Sequence, residues 1–176
     1  VLLIFACKDN SKSLTKISDN AVILAFGDSL TFGTGVPIEK AYPNVLAKLS
    51  RHEVINEGIP GEISAEGSQR LPDLLDEYHP ELLILIHGGN DILKKIPEPE
   101  TLHNLNDMIT AAKSRNVQVV MLGVPKPGLF FMESAQVYET IAETHNLVMD
   151  LDILPEILGD KELNRISCIR MPKVMI

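Results

Sequence analysis

An α/β fold built on a parallel sheet is what this sequence predicts, and three observations carry the prediction. Short apolar runs recur along the chain at residues 21–25, 81–86 and 117–122. They show no alternation, so they read as strands buried on both faces. Segments with leucine and isoleucine at helical spacing lie between them, and loops rich in glycine or proline end them. The resulting βαβαβαβαβ order implies right-handed crossovers, with helices on both faces of the sheet. The chain has 176 residues, 45% hydrophobic and 23% charged, which suits one domain with a sizeable core.

Each element follows from local signals. Ala21-Val22-Ile23-Leu24-Ala25 is the first strand, and a loop with Gly33, Gly35 and Pro37 follows. Residues 41–49 read as a helix that turns Val45, Leu46 and Leu49 inward. A short strand over 53–56 runs into the Gly- and Pro-bearing loop 57–62. Ser64 is placed to cap the next helix, which presents Leu71, Leu74, Leu75 and Tyr78 before Pro80 stops it. Residues 81–86 form the strongest strand and lead directly into His87-Gly88-Gly89-Asn90-Asp91. Pro97 and Pro99 open a helix over 100–115 with Leu102, Leu105, Ile109 and Ala112 inward. Residues 117–122 are the fourth strand, 133–145 a helix and 147–150 the fifth strand. The expected architecture is a flavodoxin-like three-layer α/β/α sandwich with strand order 2-1-3-4-5.

The net charge is −8, the isoelectric point is near 5.1, and no basic stripe is visible, which argues against nucleic-acid binding. There is no internal repeat, and no apolar run of membrane-spanning length after the first few residues. Val1-Leu2-Leu3-Ile4-Phe5-Ala6-Cys7 is apolar and ends in a cysteine preceded by a small residue; polar Lys8-Asp9-Asn10-Ser11 follows at once. This resembles the tail of a bacterial lipoprotein signal cut before Cys7, whose thiol and amine then carry lipid. Phe5 departs from the smaller residue usual there, and no basic segment precedes the run, so the segment is expected to begin inside the signal. In that reading residues 1–7 are a signal remnant and 8–20 a tether. In the same reading the protein is expected to be periplasmic or held on a bacterial membrane through Cys7.

Three strand-end loops carry the chemistry. The first strand ends in Gly27-Asp28-Ser29-Leu30, which delivers a serine to the sheet edge where α/β sites lie. Ser29 is therefore a candidate nucleophile, with a turn or helix cap as the plainer reading. The Asn56 to Gly61 loop and Gly88-Gly89-Asn90-Asp91 follow in order. With this ordered triple the chain resembles the GDSL, or SGNH, hydrolases, and most resembles their bacterial thioesterase/lysophospholipase/arylesterase branch. The resemblance covers about residues 21–160, nearly all of the expected hydrolase domain, 21–163. It implies that Ser29 is the nucleophile. It also implies an oxyanion hole formed by the Ser29 N–H, the Gly61 N–H and the Asn90 side-chain amide. Glycine suits position 61 because backbone must approach the substrate closely, and Gly58 is the neighbouring candidate. Asn90 offers two N–H donors without ionising. Asp28 and Asp91 are expected to order loops, and His87 to support the site or touch substrate. Met121, Phe130 and Phe131 read as core, with the 125–131 loop as a second wall for an acyl pocket. No metal is implied, since no Cys/His cluster has ligand spacing. No cofactor is implied either, since Gly33-x-Gly35 lacks the third glycine of a dinucleotide loop.

One block departs from the family. Its Asp-x-x-His, with a following Pro-Asn and Gly-Tyr, supplies the orienting acid and general base, and it should fall shortly after residue 160. The chain instead reads Asn164-Arg165-Ile166-Ser167-Cys168-Ile169-Arg170-Met171-Pro172-Lys173-Val174-Met175-Ile176, and the family's final helix is missing as well. Back-translated with allowed codons and read two bases on, residues 164–176 give Ser-Asp-Gln-Leu-His-Pro-Asn-Ala-Gln-Gly-Tyr. That is the absent block at its proper spacing. The expectation is a frameshift near Leu163 that leaves 164–176 as an aberrant tail and Cys168 as an artefact. Two substitutes for the base are His145, with Asp150 and Asp152 nearby, and His87. The leading reading is a serine hydrolase of small aryl or alkyl esters, acyl thioesters or lysophospholipids, impaired in the chain as written. The alternative is a non-catalytic pseudoenzyme or disrupted gene product that at most binds acyl ligands. A nucleotide-binding module is a third reading, but no phosphate-cradling loop supports it.

Overall fold

The computed structural model describes residues 14–126, 133–134 and 136–159. The expected lipid site Cys7, the expected artefact Cys168, Phe130, Phe131 and the tail 164–176 lie outside those residues. Five strands form the sheet: β1 (Val22–Gly27), β2 (Glu53–Gly58), β3 (Leu82–Ile86), β4 (Gln118–Leu122) and β5 (Val148–Asp150). All neighbouring pairs run parallel in the order β2-β1-β3-β4-β5, the order the sequence predicts. The register aligns Gly27 with Gly58 and Ile86, and Leu122 with Asp150, so the carboxyl ends of the strands share one edge.

Among the described residues seven α-helices accompany the strands: α1 (Ser29–Phe32), α2 (Tyr42–Ser50), α3 (Ser64–Tyr78), α4 (Gly89–Lys94), α5 (Glu98–Ser114), α6 (Gln136–His145) and α7 (Ile153–Gly159). Leu24, Phe26, Leu83, Leu85, Val119 and Met121 share one sheet face, each 4% exposed or less. There they meet Leu71, Leu75, Leu105, Met108, Ile109 and Ile141 from α3, α5 and α6. On the other face Ile23 and Ala25 are buried, but Ile84, Val120 and Leu122 are only half-buried among the described residues. Apolar burial drives the assembly at about 25 cal/mol per Å² removed from water.

Four local expectations change. The face of α2 read as inward is open: Leu49 is 79% exposed and Val45 39%. The helix lies beside edge strand β2, whose residues are themselves half-buried, and only Pro43 sinks fully. Ser64 does not cap α3. It is the first helical residue, the cap position is Ile63 with no side-chain acceptor, and the Glu66 carboxylate reaches back to the Ile63 N–H at 3.1 Å. The last long helix starts at Gln136 rather than 133, because Glu133–Ser134 pairs antiparallel with Pro125–Lys126. α7 was not expected; the Asp150 carboxylate starts it by accepting the Asp152 and Ile153 N–H groups, each at 2.9 Å.

The stretch read as a tether is fastened at its inner end. The Thr15 N–H donates to Gln118 Oε1 (2.7 Å), and Gln118 Nε2 donates back to the Thr15 carbonyl (3.1 Å). The Ser18 N–H and hydroxyl both donate to the Glu81 carboxylate. Gln118 and Glu81 stand at the amino ends of β4 and β3, the pole opposite Gly27 and Ile86.

Candidate active site

β1 ends at Gly27, where a Cβ would lie 2.1 Å from the Ile86 carbonyl oxygen, so only glycine lets β1 and β3 close at this point. Asp28 follows and turns the chain. Its Oδ1 accepts the Leu30 N–H at 3.0 Å, capping the single turn α1, which Gly33 ends in the left-handed region. Ser29 is the first residue of that turn and is partly exposed. The cap reading falls on Asp28, and that cap sets Ser29 at the sheet edge.

The three loops are tied to one another through Asn90. Its Nδ2 donates to the Glu62 carbonyl at 3.0 Å and to Asp28 Oδ2 at 3.3 Å. Asn90 therefore bonds the residue after Gly61 and the residue before Ser29. Both amide hydrogens already have protein acceptors, so an oxyanion would have to draw on the longer bond, the one to Asp28. Asp28 is 2% exposed, and burial pushes its carboxyl above the usual aspartate range against the opposing pull of the Leu30 N–H.

The two glycines in the middle loop do different work. Gly58 faces α1, where a Cβ would sit 2.1 Å from the Phe32 nitrogen, and its N–H is committed to Asn56 Oδ1 at 3.1 Å. Gly61 has φ +84, nothing within 4 Å of a Cβ, and no acceptor for its N–H among the described residues. Gly61 thus has the free donor and Gly58 the structural contact. Lys94 Nζ donates to the Gly61 carbonyl at 3.3 Å.

Asp91 is engaged with α3 and α5. It is fully buried; its Oδ2 accepts the Ser64 N–H at 2.9 Å, and its Oδ1 accepts the hydroxyls of Ser64 and of Thr101 (3.2 Å). Asn104 Nδ2 completes the group on Ser64 Oγ at 2.9 Å. Asp91 accordingly satisfies the start of α3, the task expected of Ser64.

His87 is fully buried, with its ring 5.7 Å from that of Phe26. Its Nδ1 accepts the Gly88 N–H at 2.9 Å, which leaves Nε2 to carry the hydrogen toward Glu62 Oε2 at 3.1 Å. Both nitrogens of this buried ring are thus engaged with Gly88 and Glu62, and neither is hydrogen-bonded to Ser29. His145 lies between α6 and the amino end of β5, with Nε2 against Asn106 Oδ1 at 2.6 Å, at the far pole. Asp150 and Asp152 serve the start of α7. The other three histidines are remote from Ser29 too: His52 bonds the Ser18 carbonyl, His79 follows α3, and His103 pairs with Asp107 along α5. All five histidines of the chain are among the described residues, and none has Ser29 as a hydrogen-bond partner.

Sequence reasoning missed Glu62 and Arg70. Glu62 is 5% exposed and accepts Arg70 Nε and Nη2, each at 2.9 Å. Burial alone would raise the Glu62 carboxyl, but the hydrogen bonds from His87 and Arg70 prevail and hold it below the usual glutamate range. The one hint in the sequence is the four-residue spacing of Glu62, Glu66 and Arg70. No three His, Cys, Asp or Glu side chains converge as a metal would require, among the described residues.

Residues 25–152 match the model of the GDSL-like lipase/acylhydrolase family. The chain belongs to that family. It is 38% identical over 110 residues to an arylesterase of Vibrio mimicus, covering 60% of this chain and 55% of the relative. It is 31% identical over 138 residues to esterase TesA of Pseudomonas aeruginosa, covering 73% and 69%. It is 27% identical to thioesterase 1/protease 1/lysophospholipase L1 of Escherichia coli, covering 76% and 65%. The chain thus spans between about half and two thirds of the length of these relatives. Among solved structures it resembles AlinE4, an SGNH-hydrolase family esterase, with TM-score 0.77 and 28% identity over 90% of this chain and 87% of that one.

Proposed function

We propose that this GDSL-family chain carries the serine half of a carboxylic ester or thioester hydrolase, with Ser29 as nucleophile. One observation carries the reading: Asn90 bonds both Glu62 and Asp28, which joins the Gly61 loop to the Ser29 turn. The named relatives, an arylesterase, an esterase and a thioesterase/lysophospholipase, support the reaction class.

In the proposed reaction Ser29 Oγ attacks the acyl carbonyl and passes its proton to a histidine base. The carbonyl oxygen, now an oxyanion, receives the N–H groups of Ser29 and Gly61 and one hydrogen of Asn90. The base returns the proton to the departing alcohol or thiol, leaving an acyl ester on Ser29. Water, deprotonated by the same base, then releases the acid. Base and orienting acid are those of the Asp-x-x-His block in the shifted frame. Substrates are small aryl or alkyl esters, acyl thioesters or lysophospholipids. A cleft of about 300 Å³ beside α4, lined by Ile92, Ile96 and Val137 with Lys95, Glu98, Thr101 and Lys126, is the proposed acyl subsite. Cys7 is the proposed lipid attachment point, on the motif alone.

A fluorophosphonate tests the nucleophile. The frame-restored chain is expected to take up the label on the peptide containing Ser29, and its Ser29→Ala variant to take up none; label on any other residue sinks the assignment. The second reading, a non-catalytic product, is favoured for the chain as written by the absence of a histidine partner for Ser29, and it predicts no labelling of that chain.

A further inference from the structure

Arg70 touches both ends of the loop that carries Gly61. Nη1 donates to Glu57 Oε2 at 2.8 Å and Nη2 to the Glu57 carbonyl at 3.0 Å, on the strand side of the loop. Nε and Nη2 grip Glu62 on the helix side, at 2.9 Å each. The guanidinium lies over the Phe26 ring, 4.4 Å from its centroid, which fixes its plane against β1. From Glu62 the contacts continue in two directions. The side chain meets His87 Nε2, and His87 Nδ1 accepts the Gly88 N–H at the corner that leads to Asn90. The backbone carbonyl accepts Asn90 Nδ2 directly.

We propose that Arg70, acting through Glu62 and His87, is a positioning residue that sets the Gly61 N–H and the Asn90 amide at the spacing an oxyanion requires. Residues 58–61 make few fixing contacts of their own: the Gly58 N–H meets Asn56 Oδ1, the Ile59 N–H meets the Gly27 carbonyl, the Glu62 N–H meets the Ile59 carbonyl, the exposed Lys94 ammonium meets the Gly61 carbonyl at 3.3 Å, and the Gly61 N–H has no protein acceptor among the described residues. A loop so lightly held needs its ends fixed. A guanidinium suits the task because its planar fork serves two carboxylates and a carbonyl at once, which a lysine ammonium on a flexible stem does not reproduce. The network is a geometric device, so it depends on the shape of Arg70 and not only on its charge.

The proposal rests on the reading of Gly61 and Asn90 as oxyanion donors, and two measurements separate the two ideas. The first uses the chain as written and needs no activity. In amide NMR spectra the Gly61 N–H and Asn90 side-chain resonances are expected to move in Arg70→Lys and in Glu57→Ala, while amides near Glu81 and Gln118 at the far pole stay in place. Unmoved Gly61 and Asn90 resonances in both variants overturn the proposal. The second uses the frame-restored chain. Arg70→Lys is expected to lower kcat tenfold or more with KM changed less than threefold. Glu57→Ala, which keeps the grip on Glu62, is expected to give a smaller loss of the same kind and serves if Arg70→Lys fails to fold. A kcat within twofold of the parent in Arg70→Lys, or in Glu57→Ala where that variant serves, overturns it. If Asn90→Ala leaves kcat intact while the resonances still move in Arg70→Lys, the oxyanion reading fails and the network stands.

Discussion

Asn90 shows what a single side chain does here. Its amide is held by the Glu62 carbonyl and shares its second hydrogen with Asp28 at a longer 3.3 Å. On the proposed reading, that arrangement keeps a donor oriented at the cost of one weak bond, which an oxyanion would displace. Removing such a donor costs about 2.7–4 kcal/mol of transition-state stabilisation in comparable sites. The two glycines of the neighbouring loop offer a cleaner contrast. Gly61→Ala meets no atom within 4 Å but must hold φ near +84, a penalty of roughly 1–2 kcal/mol. Gly58→Ala drives a Cβ into the Phe32 backbone and is expected to cost about 3 kcal/mol or more. Urea unfolding of the two variants checks the order; a more stable Gly58→Ala contradicts it.

At the scale of elements, the two faces of the sheet predict different sensitivities. Leu85 is fully buried on the face covered by α3 and α5, so Leu85→Ala is expected to cost about 2–5 kcal/mol. Ile84 is half-buried on the other face, and Ile84→Ala is expected to cost about half as much, read from the same unfolding midpoints. Equal losses would mean that the second face is as well covered as the first. The strands were legible because non-alternating apolar runs have few other meanings. α1 and α4 were not legible: four and six residues are too few for a helical period, and both begin inside motifs that read as loops. Ser29, Gly61 and Asn90 were legible as an ordered pattern, whereas Glu62 and Arg70 were not. A part-buried ion pair is made by the fold bringing a loop against a helix, and residue types alone do not announce it. The open face of α2 failed for a similar reason, since periodicity marks an apolar stripe without saying what stands opposite it.

For the whole molecule, the candidate site and the fastened segment 15–18 occupy opposite poles, separated by strands that rise about 3.3 Å per residue. Stability should also depend on pH through two groups near the site, with opposite signs. The Glu62 carboxyl is held low in the folded state, so the unfolded chain binds more protons in that window. Its contribution is present above the usual glutamate range and lost as pH falls through the folded value. The Asp28 carboxyl is raised, so the folded chain keeps its proton longer, and stability declines as pH climbs from the usual aspartate range to the raised value. Urea midpoints from about pH 3 to pH 8 are expected to lose part of their acid fall in Glu62→Gln and part of that decline in Asp28→Asn; profiles parallel to the parent contradict both. The central claim is that Ser29 stands in a complete oxyanion site whose base lies in the shifted frame. Hydrolysis of a p-nitrophenyl ester by three proteins tests it most directly: the chain as written, the frame-restored chain, and Ser29→Ala of the restored chain. The account predicts activity in the restored chain alone, with the other two lower by about 10³-fold or more; equal activity in the chain as written and the restored chain, or activity that survives Ser29→Ala, contradicts it.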